Sequence, residues 1–342
     1  MMKILTQINA VSGNEKNLSD FILSQIGTYA DKTIRDTLGN LVFFKKGKNP
    51  SGKKIGVFAH MDEVGLILKN ITDEGYIKFS SVGGIDERIL IGQKVLIGEN
   101  TIGIIGIKAI HLQSKGETDK VIKMDELCID IGAKDKEDAL KYVQKGDYIS
   151  FISPYENLYG FRFKSKAIDD RAGCAIIMDL IKDEYEEDIY FCFTVQEEVG
   201  LRGASVLSRR LDLDVGIILE ATTCQDTAYM PKHLRSTRLG EGVAISLMDN
   251  ASYADKKLNA FIKDIADTKG IKYQYKLTSN GGNDAREIQT GASGCKVTTL
   301  SLPARYIHSP NTVFDYRDFE SMKKLAKQTL LEIKKFQISE EI

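Results

Sequence analysis

Two of the four histidines in this chain, His60 and His308, stand in phrases suited to metal chemistry, AHMDE (59–63) and RYIHSP (305–310). Between them lie two acidic phrases, IDDRAG (168–173) and QEEVGLRGA (196–204), and Glu220 directly after the apolar run VGIIL. Imidazole nitrogens and carboxylate oxygens are the ligands that zinc-like ions take. A pair of such ions with a general base beside them can hydrolyse a peptide or amide bond without a serine or cysteine nucleophile. The spacings of other hydrolases, GxSxG and HExxH, and of phosphate-binding loops are absent. The set points to a metal-dependent hydrolase.

Each phrase has a plainer reading when taken alone. His60 and Asp62 are two apart, so in extended backbone both side chains point one way, and Asp62 could hold the second ring nitrogen of a ligating histidine. A buried histidine beside an incidental aspartate fits those two residues equally well. Asp169 and Asp170 open an expected helix, where one carboxylate could bridge two cations, but aspartate there is also an ordinary N-cap. Spacing does not choose between the two aspartates. Glu197 and Glu198 follow the apolar FCFTV. Adjacent residues cannot both face one way, so one would ligate while the other takes a proton from water. An acid after a buried run, as at Glu220, is costly unless something pairs with it. His308 alone reads as structural. His111 and His233 lack acidic neighbours and read as a structural and a loop residue.

These residues need a scaffold that brings them together. Strands are expected over 54–59, 188–195, 215–219 and 296–302, and helices over 172–181, 253–269 and 318–335. That alternation predicts a mostly parallel sheet covered on both faces. Each candidate ligand then follows the carboxyl end of a strand or begins the next helix, the edge where open α/β sheets place their sites. From about 67 to 153 the texture changes to short β-branched runs separated by turn residues, with only 136–144 helical in pattern. That segment reads as a small β-barrel or sandwich inserted into the α/β domain.

A length of 342 residues suits about two domains. Basic and acidic residues number 47 and 48, a balance that gives no electrostatic reason for nucleic acid or an anionic membrane as partner. No apolar run approaches the ~20 residues a bilayer requires. The start, MMKILTQINAVSG, is poor material for a secretory signal. Five cysteines, an odd number without a CxxC pair, suggest reduced thiols and the cytoplasm.

In order and combination, AHMDEVG, IDDRAG, QEEVGLRGA, ILEATT, GGNDA and RYIHSP resemble the M42 family of metallo-aminopeptidases, the glutamyl and tetrahedral aminopeptidase group. The likeness spans essentially the whole chain, including HLQSKGE (111–117) and IDIGA (129–133) in the insert. It implies a zinc-peptidase-like α/β/α sandwich formed by 1–66 and 154–342. It implies also an inserted small β-barrel or PDZ-like domain, 67–153, that serves dimerisation and oligomerisation. The expected activity is removal of the amino-terminal residue from short peptides, with two divalent ions per subunit, zinc or cobalt. His60 and Glu220 would each bind one ion, Asp169 would bridge, and Glu198 and His308 would complete the set. Glu197 would be the general base and Asp62 the residue that orients His60. A homo-oligomer, from dimer to dodecamer, is expected.

Two positions depart from the family pattern. Glu220 stands where many members carry aspartate, and Asn283 where a small hydroxyl is frequent. Rival readings are a related two-metal amidohydrolase (carboxypeptidase, deacylase or dipeptidase), a glycoside hydrolase using the paired carboxylates, and a binding protein with a degenerate site. The glycosidase leaves the histidines without a role, and a degenerate site would not keep competent residues at all seven positions.

Overall fold

The structure is a computed structural model that describes residues 1–113, 121–228, 230–278 and 281–338. Ser114 to Glu117 of the phrase HLQSKGE lie outside the described residues.

Successive side chains of a strand face opposite ways, and that period of two sets the layering. Ile55, Val57 and Ala59 pack with Ile217 and Leu219 on one face, while Phe58 and Ile218 pack on the other. The first face is covered by four amphipathic helices, Lys16–Ile26, Ile168–Leu180, Lys256–Lys269 and Tyr316–Glu332. Two short helices, Arg202–Ser208 and Ala285–Gln289, cover the second. Local chemistry fixes where the helices begin and end. Asp255 accepts the Leu258 N–H at 2.8 Å, and Gly270 at φ 64° closes the same helix in the left-handed conformation that favours glycine.

The centre of the sheet is parallel, in spatial order Asp188–Thr194, Lys54–His60, Val215–Thr223 and Lys296–Arg305. Antiparallel strands flank it. Leu41–Lys45 and Lys32–Arg35 extend one side; Thr312–Asp315, Arg162–Ser165 and Glu156–Asn157 extend the other. Val243–Ser246 pairs antiparallel to Lys296–Arg305 and parallel to Tyr273–Lys276. The sheet is therefore mixed, not mostly parallel as the alternation of elements predicts. Parallel strands need cover on both faces. The four central strands are buried runs, whereas Lys32–Arg35 is exposed at every position.

A second unit is a closed barrel of six strands, in the order Gly65–Ile71, Ile77–Val82, Cys128–Asp130, Thr101–Gly106, Lys94–Ile97 and Tyr148–Phe151. Its interior is a separate apolar cluster that includes Leu66, Leu68, Val95, Ile105, Ile129 and Ile149. The helix expected over 136–144 is a single turn, Lys136–Ala139, capped by Asp135. Leu140 and Tyr142 are exposed, and beyond Ala139 only Val143 of that stretch reaches the barrel core. Among the described residues no helix is long and apolar enough to cross a membrane.

Candidate active site

The parallel centre brings its carboxyl ends to one edge, and His60 lies directly opposite Thr194 there. Val215–Thr223 pairs with Lys54–His60 only as far as Ile218, opposite Phe58, but continues against Lys296–Arg305 to Thr223. Glu220 is thus inside its strand, three residues short of the end, and not the terminal residue the sequence suggests. The two strands part just before it, which leaves room for its carboxylate. Glu220 Oε1 lies 3.4 Å from His60 Nε2.

Asp169 occupies the middle of the cluster. Its Oδ1 is 3.1 Å from His60 Nε2 and its Oδ2 is 3.2 Å from His308 Nε2. Glu198 Oε2 is also 3.2 Å from His308 Nε2, and Glu197 Oε2 stands back at 4.0 Å from His60 Nε2. Among the described residues three overlapping triads result, each with its donor atoms within 4.8 Å of one another: His60–Asp169–Glu220 and Asp169–Glu198–His308, which share Asp169, and His60–Glu197–Glu198. Asp170, joined to Asp169 by a cis peptide bond, is turned away and fully buried, accepting the Gly173 N–H at 2.9 Å. His111 and His233 lie on exposed turns away from the cluster.

The backbone around the site is unusual. Of the six non-glycine residues with positive φ among the described residues, five (Ala167, Gln196, Leu201, Tyr306 and His308) flank or belong to it. Such conformations cost of order 1–3 kcal/mol each and persist where the surroundings impose them. Some of those surroundings are visible. The Asp62 carboxylate accepts the N–H groups of Glu197 and Glu198 at 3.0 and 3.1 Å and the Ser12 hydroxyl at 2.6 Å. Its contact with His60 is different from the one expected. The His60 ring meets the Asp62 backbone carbonyl at 3.1 Å through Nδ1, with the carboxylate farther off at 3.5 Å. Asp62 therefore holds the two glutamates as well as the histidine.

Several supports were not apparent from the sequence. Glu15 Oε1 accepts the Gln196 N–H at 3.1 Å, and Asn40 Oδ1 accepts that of Val195 at 3.1 Å. Thr194 donates to Asp284 at 2.6 Å beneath the cluster. Glu63 takes both Lys166, at 2.6 Å, and the fully buried Arg171, at 3.3 Å, so the phrase AHMDE also anchors the helix that carries Asp169. Glu63, Arg171 and Asp284 lie in the marked phrases, but no motif shows these pairings, because each joins residues from distant parts of the chain.

Electrostatics follow from crowding acids in a buried place. Burial pushes Glu198 up to about 8 and lifts Glu197 and Glu220 well above the carboxylate range. Asp169 goes the other way against its burial, held low by hydrogen bonds from His308 and His60. Despite burial, Asp169 and Glu198 raise His308 to about 9. Acids that protonate and histidines that stay charged are what such a nest does without a cation. The donor set suits cations better, since nitrogen and oxygen ligands converge in two groups around one shared carboxylate. The cluster opens into a cleft of about 450 Å³, which Leu201, Thr222, Lys276, Asn283 and Arg286 also line.

A fold of this kind with two carboxylate–histidine triads at the sheet edge defines a metallohydrolase of the zinc-peptidase sort. The chain belongs to the M42 peptidase family: the sequence profile described as M42 glutamyl aminopeptidase matches residues 39–325. It is therefore a peptide hydrolase of a metal-dependent family. A lysyl aminopeptidase of Pyrococcus furiosus is 32% identical over 98% of this chain and 97% of its own. A glutamyl aminopeptidase of Lactococcus lactis is 29% identical over 93% and 91%. Among solved structures, an aminopeptidase from Desulfurococcus kamchatkensis superposes with a TM-score of 0.92 at 35% identity, covering 97% of this chain and 93% of that one. A TET peptidase from Pyrococcus horikoshii, described as assembling into a tetrahedron or a large octahedral shell, gives 0.87 at 33% identity over 97% and 98%.

Proposed function

We propose that this cleft holds two divalent metal ions, zinc or cobalt, and removes the amino-terminal residue from short peptides. The observation that carries this reading is Asp169, whose two oxygens face two different histidines at 3.1 and 3.2 Å. His60 and Glu220 would hold one ion, His308 and Glu198 the other, with Asp169 between them. Bound there, the ions would supply Lewis acidity, lowering the pKa of water toward about 7 and polarising the scissile carbonyl. Glu197 is the carboxylate outside the two triads that share Asp169, 4.0 Å from His60 Nε2, and it lines the same cleft. Burial raises its proton affinity, which suits a general base that takes a proton from water and returns it to the leaving amine. Asp62 fixes the backbone on which Glu197 and Glu198 ride.

Chelation by EDTA or phenanthroline should abolish cleavage of aminoacyl anilides, and zinc or cobalt should restore it. Glu197→Gln keeps the ligands, so metal should stay near two ions per chain while turnover drops by about 10²–10⁴-fold, the usual worth of a general base. Glu198→Ala should lose metal and activity together. The reverse pattern in elemental analysis would exchange the two roles. Acylated amino acids cleaved in preference to anilides would favour the deacylase reading.

We infer further that 1–66 with 154–342 and 67–153 act as two domains, and that the barrel supplies contacts for a homo-oligomer, from dimer to dodecamer. The shells formed by the Pyrococcus horikoshii relative support this. A variant lacking the insert should scatter light as a smaller assembly; one of undiminished mass would place the contacts elsewhere. All five cysteines are free, which suits a reducing compartment such as the cytoplasm.

A further inference from the structure

Lys276 is the last residue of Tyr273–Lys276, a strand that among the described residues pairs only with Val243–Ser246. A lysine on an edge strand ordinarily guards that edge in water. This one lines the same cleft as Asp169, Glu198 and His308. It is only half exposed, and among the described residues it makes no hydrogen bond and no ion pair. An ammonium partly withdrawn from water without a partner is costly and calls for an anion.

The anions that face it are already committed. Asp249 accepts the Ala251 and Ser252 N–H groups at 2.7 and 2.6 Å, the Ser252 hydroxyl at 3.0 Å and the Asn283 amide at 3.3 Å. The other two carboxylates whose charge reaches it, Glu220 and Asp169, are those proposed to hold the metal ions. Cations bound there would offset the charge of those two carboxylates at Lys276, which leaves an incoming anion as a fitting partner. Arg286 stands on the same cleft with its side chain 60% exposed and only a loose contact, 3.5 Å, to Glu287. A second cation placed there would draw a negative group inward.

We propose that Lys276, assisted by Arg286, recognises a carboxylate of the peptide substrate and so sets which peptides this enzyme prefers. The carboxylate belongs either to an acidic amino-terminal residue or to the free carboxyl end of a di- or tripeptide. This rests on the aminopeptidase reading but is not contained in it, because relatives of this chain are named for lysyl as well as glutamyl substrates. Lys276 belongs to no phrase that marks the cluster, and it is the one lysine among the residues that line this cleft.

The test compares metal-loaded wild type with Lys276→Gln and Lys276→Glu on glutamyl, aspartyl, leucyl and lysyl anilides. It adds Leu-Gly-Gly and its carboxyl-terminal amide. An ion pair in a partly dehydrated cleft predicts that Lys276→Gln lowers the glutamyl-to-leucyl ratio of kcat/KM by about 10–100-fold, mostly through KM. Lys276→Glu should move the preference toward lysyl anilide. If the acid-to-amide ratio on Leu-Gly-Gly falls instead, the carboxylate recognised is the carboxyl terminus. Metal content should stay at the wild-type value in both variants. Equal loss on every substrate, or no change in either ratio, overturns the proposal and leaves Lys276 as a charge balance for the cluster. Wild type that cleaves no anilide even when metal-loaded would instead sink the aminopeptidase reading on which this rests.

Discussion

The two triads share Asp169 but are built differently. His60 ends a central strand, is 2% exposed, and has its second ring nitrogen against the Asp62 carbonyl. Behind it the chain's first forty residues provide braces, with Ser12 on Asp62, Glu15 on Gln196 and Asn40 on Val195, and through Asp62 they also reach the backbone of Glu198 in the other triad. His308 sits on a loop at φ 57°, with 36% of its side chain exposed. A glycine turn that follows the barrel strand Ile77–Val82 approaches it. A Cβ at Gly84 would lie 3.6 Å from its Nδ1, and one at Gly83 would lie 3.3 Å from the Cβ of Glu198. One triad is set into the sheet, and the other lies where the barrel meets the cleft. Rigidity on one side and access on the other is a sensible division for a site that must hold its ions yet admit a peptide.

The sharpest way to break this contrast is to remove each histidine in turn. Either His60→Ala or His308→Ala should lose metal and activity. Their stabilities should separate. His60→Ala leaves Glu220 buried with no histidine and Asp169 with His308 alone, a kind of loss that costs about 3–5 kcal/mol. His308→Ala, on a loop with 36% of that side chain exposed, should cost less, about 1–3 kcal/mol, because it removes a charge that Asp169 and Glu198 hold in place. Urea denaturation of the metal-free proteins measures both. Equal losses would mean that the His308 side is as firmly built as the other.

The next test concerns the brace itself. Asp62→Ala strands the N–H groups of Glu197 and Glu198, at about 1–3 kcal/mol for each donor left unpaired. Turnover should fall with stability, since both glutamates lose their fixed backbone. Ser12→Ala removes one of the three hydrogen bonds to the same carboxylate and should cost only about 1 kcal/mol. If Ser12→Ala were as damaging as Asp62→Ala, the hydroxyl and not the carboxylate would be what holds the site.

The same contrast explains which parts were legible in the sequence. His60, Asp169, Glu197, Glu198 and His308 were legible only as an ordered set, since each alone has a bland reading, and the choice of Asp169 over Asp170 came from the family resemblance. The barrel showed as short β-branched runs between turns. Glu220 was recognised, but not that its strand runs past it, because that depends on a pairing with Lys296–Arg305 which outlasts the pairing with Lys54–His60. Register between distant strands is not written in either strand. Ser12 and Glu15 were invisible for a similar reason. Their partners lie 50 and 181 residues away, and in isolation they are ordinary polar residues before a helix. Lys276 ends the polar strand YQYK, whose composition marks an edge and nothing more.

The smallest effect is also the most specific to the braced side. Glu15 is buried, and burial first, then the charge of Asp62, raises its carboxyl from the ordinary 4.5 to about 7. A carboxyl with a raised folded pKa binds more protons folded than unfolded, so its charge weighs against folding increasingly as pH rises from about 4.5 to about 7. Both of its hydrogen bonds, from Gly13 at 2.7 Å and Gln196 at 3.1 Å, end on the same oxygen. Glutamine can keep that oxygen and discard the charge. Glu15→Gln should therefore be more stable than wild type at pH 8, by about 1–3 kcal/mol at roughly 1.4 kcal/mol per tenfold change in proton affinity. The advantage should shrink as pH falls and vanish below about 4.5, in urea melts of the metal-free proteins. A gap that stayed constant with pH would show that the mutation acts through packing, and that the brace on Gln196 carries no buried charge.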